Sequence, residues 1–197
     1  MFNIAVLISG SGTNLESILN AVEKDEIKSK VVLVIADREC YGIERAKKRG
    51  IETYILDRKA YRDELSDRIY ELVKYKADFI VLAGFLSILK GDILKEYKNR
   101  IINLHPSLLP KFGGVGMYGD NVHRAVLENR EKITGCTVHF VDEGVDTGRI
   151  ILQRTVSVDY EDKIEDIKRK VQREEHIAIV EAIKKLEVAY EGINQCI

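Results

Sequence analysis

The run Asn103-Leu-His-Pro-Ser-Leu-Leu-Pro110 sets an amide and an imidazole two residues apart at the end of a short apolar segment, Arg100-Ile-Ile-Asn103. On a strand, residues i and i+2 point to the same side, so Asn103 and His105 would share a face. An amide there can donate to a developing oxyanion. An imidazole can move a proton near neutral pH. An acid from the turn Asp142-Glu-Gly-Val-Asp146 would favour the imidazolium, raise the histidine pKa and orient the ring. Together these groups suit acyl transfer to an amine without a covalent enzyme intermediate. Pro106 and Pro110, the only prolines of the chain, stiffen the link that follows, and Pro110 admits a cis bond. The same eight residues also read as a proline-rich turn around a histidine that caps or packs.

A second group of chemistry-bearing residues follows the first apolar run. Gly10-Ser-Gly-Thr-Asn14 leads into a helix with Leu15, Ile18, Leu19 and Val22 on one face. Thr13 and Glu16 have capping-box spacing. Bare N–H groups and the helix dipole converge at such a turn and suit an anion. Leu15 stands where a dinucleotide fingerprint needs its third glycine, and no Gly-Lys-Ser/Thr follows. A phosphate monoester fits better than a dinucleotide or a nucleoside triphosphate; an ordinary tight turn is the alternative. Far along the chain, Glu175 interrupts the apolar stripe Ile164, Ile167, Val171, Ala178, Ala182, with Gln172 on the same side. A carboxylate there is costly unless it is paired or faces a pocket, or the stripe drifts and Glu175 is wet.

Other residues carry weaker signals. Asp37 could meet a ribose hydroxyl or be a solvated charge. Phe85-Leu-Ser-Ile-Leu89 is too apolar for a free loop and reads as a core helical turn or an apolar wall for a flat ligand. Lys111 to Gly119 has four glycines and reads as a mobile loop near the histidine. His139 alternates with core residues and could support the site from behind. His123 reads as a helix-surface or lid residue. His176 could pack or line a pocket beside Glu175.

The elements that must position these groups alternate strand and helix. Near-continuous apolar strands fall at 2–8, 31–35, 53–55, 79–83 and 100–103. Helices are expected from 15, over 42–49 with Gly50 past the end, through Tyr61, Leu65, Ile69 and Leu72, and over 92–97. Gly135 to Val141 and Ile150 to Val156 alternate faces around a turn, which implies antiparallel pairing. The pattern predicts an α/β fold with a doubly wound, mostly parallel sheet and a small antiparallel C-terminal extension. A single domain over 1–197 is expected, with 1–100 as a phosphate-binding half and 101–197 as the other half. Net charge is -1, so no broad basic surface points to nucleic acid or an acidic membrane. Cys40, Cys136 and Cys196 are odd in number and have no metal-ligand pattern, and a reducing, cytoplasmic setting is the simplest account. The first residues lack a basic n-region and are too short to span a bilayer.

The central run closely resembles the signature of the folate-dependent formyltransferases. The resemblance extends through Ile8-Ser-Gly-Ser-Gly-Thr-Asn-Leu15, Leu82-Ala-Gly-Phe-Leu-Ser-Ile-Leu89, Gly135-Cys-Thr-Val-His-Phe-Val141 with Asp146-Thr-Gly148, and Glu175-His176. Five motifs in order make the chain similar to the phosphoribosylglycinamide formyltransferase branch of purine synthesis, with its Rossmann-like fold. That resemblance implies formyl transfer from 10-formyltetrahydrofolate to the amine of glycinamide ribonucleotide, with no metal. It implies His105 as proton donor, Asn103 on the formyl oxygen and Asp146 as the carboxylate partner. It implies Gly12, Thr13 and Asn14 on the ribonucleotide phosphate, and Gln172 and Glu175 on the nucleotide. It implies Leu86, Ser87, Ile88, Leu89 and the Val141-Asp142-Glu143 backbone around the folate, with Asn103 also facing it and Arg58 at its tail.

Two departures bear on lid behaviour and on folate contacts. Gly113-Gly114 stands where the family commonly has Pro-Gly, and residue 87 is Ser where Arg is frequent. Methionyl-tRNA formyltransferases share the central motif but would need a C-terminal RNA-binding domain. Formyltetrahydrofolate hydrolases would need an N-terminal regulatory domain, whereas strand one begins at residue 2. A non-catalytic nucleotide-binding module would leave Asn103, His105 and Asp146 unused. The implied partners are small molecules, without nucleic acid or membrane, for a monomer or homodimer.

Overall fold

The computed structural model describes residues 2–194, so Cys196 lies outside the described residues. The strands are β1 (Asn3–Ile8), β2 (Lys30–Ala36), β3 (Glu52–Ile55), β4 (Phe79–Leu82), β5 (Ile101–His105), β6 (Ile133–Phe140) and β7 (Ile150–Ser157). The helices are α1 (Thr13–Glu23), α2 (Tyr41–Lys47), α3 (Arg58–Tyr61), α4 (Leu65–Val73), α5 (Asp92–Glu96), α6 (Asp120–Glu128) and α7 (Ile164–Asn194). One seven-stranded sheet runs in the order β3-β2-β1-β4-β5-β6-β7. The first five strands pair in parallel, and the apolar runs of β1, β2 and β4 suit strands covered on both faces, whereas β3 (Glu-Thr-Tyr-Ile) is a less buried edge strand. β6 and β7 pair antiparallel and continue the same sheet from β5.

Two apolar clusters lie on opposite faces of this sheet. One joins Ile4, Val6, Ile102, Leu104 and Val138 to α1 and α7. The other joins Ala5, Leu7, Ile80 and Ile101 to α4 and α5. At roughly 1.5–3 kcal/mol per buried aliphatic side chain, these clusters supply the main drive to fold. The second face is helix-covered as far as β5, whereas β6 meets loops there. That asymmetry leaves room for polar side chains at the β5–β6 edge.

Several expected details differ. The helix expected through Tyr61 and Leu72 is broken, because Arg62 adopts φ 45° and a short 3-10 turn, Arg62–Glu64, separates α3 from α4. The Thr13–Glu16 capping box does not form. Gly12, at φ 71°, precedes α1, and Glu16 pairs instead with Arg45 and Arg49 at 3.0 and 2.8 Å. Phe85 to Leu89 is loop, with Phe85 and Leu89 buried and Leu86 and Ile88 exposed. No helix among the described residues is long and apolar enough to cross a membrane.

Candidate active site

β5 ends on His105, and its register pairs Asn103 with His139 and His105 with Thr137 on β6. These four side chains therefore share the face that loops, not helices, cover. The loop 141–149 folds back over that face and brings Asp146 to both β5 residues. Asp146 Oδ2 lies 3.4 Å from His105 Nδ1, and Asp146 Oδ1 accepts from Asn103 Nδ2 at 3.4 Å. Asp146 holds φ 59°, a left-handed backbone uncommon outside glycine. Such strained residues concentrate at functional sites.

The ring nitrogens have distinct partners. His105 Nε2 donates to the Phe112 carbonyl at 2.8 Å. Ser107 Oγ bonds the Lys111 carbonyl at 2.6 Å and holds the same turn. His139 Nδ1 donates to its neighbour's carbonyl, Phe140 O, at 2.8 Å. Its Nε2 then accepts from Asn103 Nδ2 at 3.1 Å, which aims the Asn103 amide. His139 supports the site from behind. Leu109–Pro110 is cis.

Burial pushes the His105 pKa below the ordinary histidine value, and the Asp146 charge raises it only in part. The expectation of a raised pKa is therefore overturned: desolvation outweighs the carboxylate. Burial works to raise the Asp146 carboxyl. The nearby His139 and His105 rings and the Gly114 N–H, 3.0 Å from Oδ2, together hold it below the usual range. The resting pair is thus a neutral imidazole beside a carboxylate.

A cavity of about 450 Å³ opens beside this trio. Its apolar wall includes Leu86, Ser87, Ile88, Leu89 and Val141, with Asp142 adjoining. Its other end carries Asn14, Gln172 and Glu175. Gln172 Nε2 bonds Thr13 Oγ1 at 3.0 Å, and Asn14 Nδ2 bonds Glu175 Oε2 at 3.3 Å. The misplaced carboxylate of α7 is therefore paired at a pocket wall. Burial raises its pKa, against the Asn14 hydrogen bond. Asn14 Oδ1 is enclosed without a partner. Gly12 and Thr13, at the start of α1 beside Asn14, do not line the cavity. The turn before α1 rests on α2, where Gly42 donates to the Gly10 carbonyl at 3.1 Å.

Arg58 and Glu143 do not line the cavity. Arg58 Nη1 lies 4.0 Å from Asp37 Oδ2. Asp37 is wholly buried, held by Arg38 Nε at 3.0 Å and Nη2 at 3.2 Å, and by Ser87 Oγ at 2.6 Å. It is neither a solvated charge nor open to a ribose. His123 is also corrected: it is buried on the cavity wall, and burial pushes its pKa down to about 4. Its place between Val122 and Val126 on one α6 stripe was the available signal. His176 is half-buried and off the cavity. Lys168, on the cavity wall, carried no sequence signal. Among the described residues, no group of three or more His, Cys, Asp or Glu is arranged to hold a metal ion.

The formyl transferase family profile matches residues 2–183. The chain belongs to the formyl transferase family. This formyl transferase is 41% identical over 181 residues to phosphoribosylglycinamide formyltransferase of Escherichia coli (strain K12), covering 88% of this chain and 82% of that one. It is 41% identical over 189 residues to the chloroplastic phosphoribosylglycinamide formyltransferase of Vigna unguiculata, covering 93% of this chain. The chain spans only 60% of the Vigna protein, and 18% of the trifunctional purine biosynthetic protein adenosine-3 of Gallus gallus. Among solved structures, glycinamide ribonucleotide transformylase 1 from Symbiobacterium toebii superposes with a TM-score of 0.87 at 43% identity, covering 93% of this chain and 86% of that one.

Proposed function

We propose that this formyl transferase moves the formyl group of 10-formyltetrahydrofolate to the amine of glycinamide ribonucleotide, in purine (IMP) biosynthesis in the cytoplasm. The observation that carries the reading is the convergence of Asn103, His105 and Asp146 beside a cavity whose far end bears Asn14, Gln172 and Glu175. The likeness to enzymes named for this reaction supports it.

In this reading Gly12, Thr13 and Asn14 hold the phosphate, and Gln172 and Glu175 hold the rest of the nucleotide. Leu86 to Leu89 and Val141 to Glu143 flank the folate ring, and Arg58 meets its tail from outside the cavity. The amine attacks the formyl carbon, and the carbonyl electron pair moves onto oxygen, where Asn103 Nδ2 donates to it the hydrogen it gives at rest to Asp146, at a long 3.4 Å. Neutral His105 takes the proton that the amine sheds, through Nδ1, and Asp146 stabilises the imidazolium so formed. His105 then acts as the proton donor to the departing folate nitrogen as the carbon–nitrogen bond breaks. The proton count closes, and no covalent enzyme intermediate is formed.

The test is a formyl-transfer assay with purified protein, glycinamide ribonucleotide and 10-formyltetrahydrofolate. Turnover is expected. Its absence in correctly folded protein, with both substrates saturating, would overturn the reading.

A further inference from the structure

Resting on the ribonucleotide reading above, we propose that Lys168 is the cation that meets the substrate phosphate, and that its ion pair with Asp120 is what the phosphate displaces. Among the described residues, Lys168 is the single lysine or arginine on the cavity wall. A phosphate monoester brings nearly two negative charges at neutral pH. The α1 terminus offers about half a positive charge. Thr13, Asn14 and Gln172 are uncharged, and Glu175 is an acid. Phosphate in this corner is therefore short of a cation.

Arg45 is the nearest alternative and is already engaged. Its Nε donates to the Ser11 carbonyl at 2.8 Å and its Nη1 to Glu16 at 3.0 Å, off the cavity wall. Lys168 lies one helical turn before Gln172, on the same side of α7, and Gln172 touches Thr13. Lys168 and Asn14 line the same cavity. At present Lys168 Nζ bonds Asp120 Oδ1 at 2.7 Å, and both side chains are 54% exposed. An exposed pair of this kind is weak, so exchanging a carboxylate for a phosphate costs little. Asp120 opens α6 directly after the glycine loop, so the exchange removes one polar tie between α6 and α7, which remain packed together.

The experiment measures ribose 5-phosphate binding by calorimetry, together with KM for the nucleotide and for the folate. We expect Lys168→Ala to weaken ribose 5-phosphate on the order of tenfold or more, as loss of a charge-assisted contact does. The nucleotide KM should rise alongside, with kcat and folate KM within about twofold. Lys168→Arg should restore most of the affinity. Asp120→Asn should tighten ribose 5-phosphate by roughly twofold to fivefold, since it removes the competitor. Unchanged ribose 5-phosphate affinity in Lys168→Ala, or weaker binding in Asp120→Asn, would overturn the proposal. The calorimetric arm reads Lys168 whether or not formyl transfer is seen, so failure of the assigned reaction is distinguishable from failure of this contact. Circular dichroism of each variant separates loss of binding from loss of fold.

Discussion

His105 Nε2 lies 2.8 Å from the Phe112 carbonyl oxygen, an atom that only accepts, so the proton on that nitrogen is fixed and Nδ1 is left to face Asp146 at 3.4 Å. This tautomer lets the ring begin as a base and finish as an acid at one atom. His105→Ala should lower kcat by roughly 10²–10⁴-fold, and Asn103→Ala by roughly 10²–10³-fold. The acid limb of kcat/KM should lie below the usual histidine range, because burial lowers the His105 pKa. Asp146→Asn should cut kcat severely and move that limb lower still, since the carboxylate raises the pKa. A pH profile of both proteins checks this. An acid limb that moves upward in the variant would contradict the assignment.

His123 makes a separate, thermodynamic statement. Its folded pKa of about 4 lies below the unfolded value of 6.5. Between those values the unfolded chain holds a proton that the native ring refuses. Stability should therefore fall as the pH drops from 6.5 towards 4, by roughly 3 kcal/mol in all. Denaturant titrations across that window should show a flatter acid limb for His123→Gln than for the parent. Parallel limbs would show that His123 does not titrate between the two states as described.

Asp37 is expected to matter to the fold more than to the donor. Arg38 holds its buried carboxylate with two nitrogens. Arg38→Ala would leave that charge supported chiefly by Ser87 and Ser9, with Arg58 at 4.0 Å, and should cost roughly 3–5 kcal/mol. Thermal unfolding measures this directly. A loss below about 1 kcal/mol would indicate that Arg38 is a surface pair of the ordinary weak kind.

The turn before α1 has no slack towards α2. A Cβ on Gly42 would sit 2.5 Å from Ile8 Cδ1 and about 3.1 Å from both Gly10 O and Gly12 Cα. Gly42→Ala should push the turn outward. The expected signature is a higher KM for the nucleotide with little change in the folate KM. Equal effects on both substrates would point to a general loss of structure instead.

Much of this was legible before any coordinates. Val31 to Ile35 reads as a covered parallel strand because its apolar run has no polar alternation. Asn103 and His105 must share a face because a strand has period two. Glu175 was visible as an acid in an apolar stripe, and the structure supplies Asn14 as its partner. What stayed hidden depends on tertiary contact. The left-handed Arg62 that breaks the third helix has no local signature. The reversal of the His105 shift needed the balance of burial against charge, which spacing does not contain. His123 reads as surface only if its place beside Val122 and Val126 on the buried α6 stripe is passed over. Arg58, transferred by resemblance, lies off the cavity, and its guanidinium is turned to Asp37.

The pairs Thr13–Gln172 and Asn14–Glu175 tie the earliest helix of the chain to the latest across about 160 positions. A nucleotide seated between them would act as a clasp on the whole polypeptide. A nascent chain that has made every strand but not yet docked α7 would have nothing to grip with, and binding would lock the final helix down against fraying and proteases.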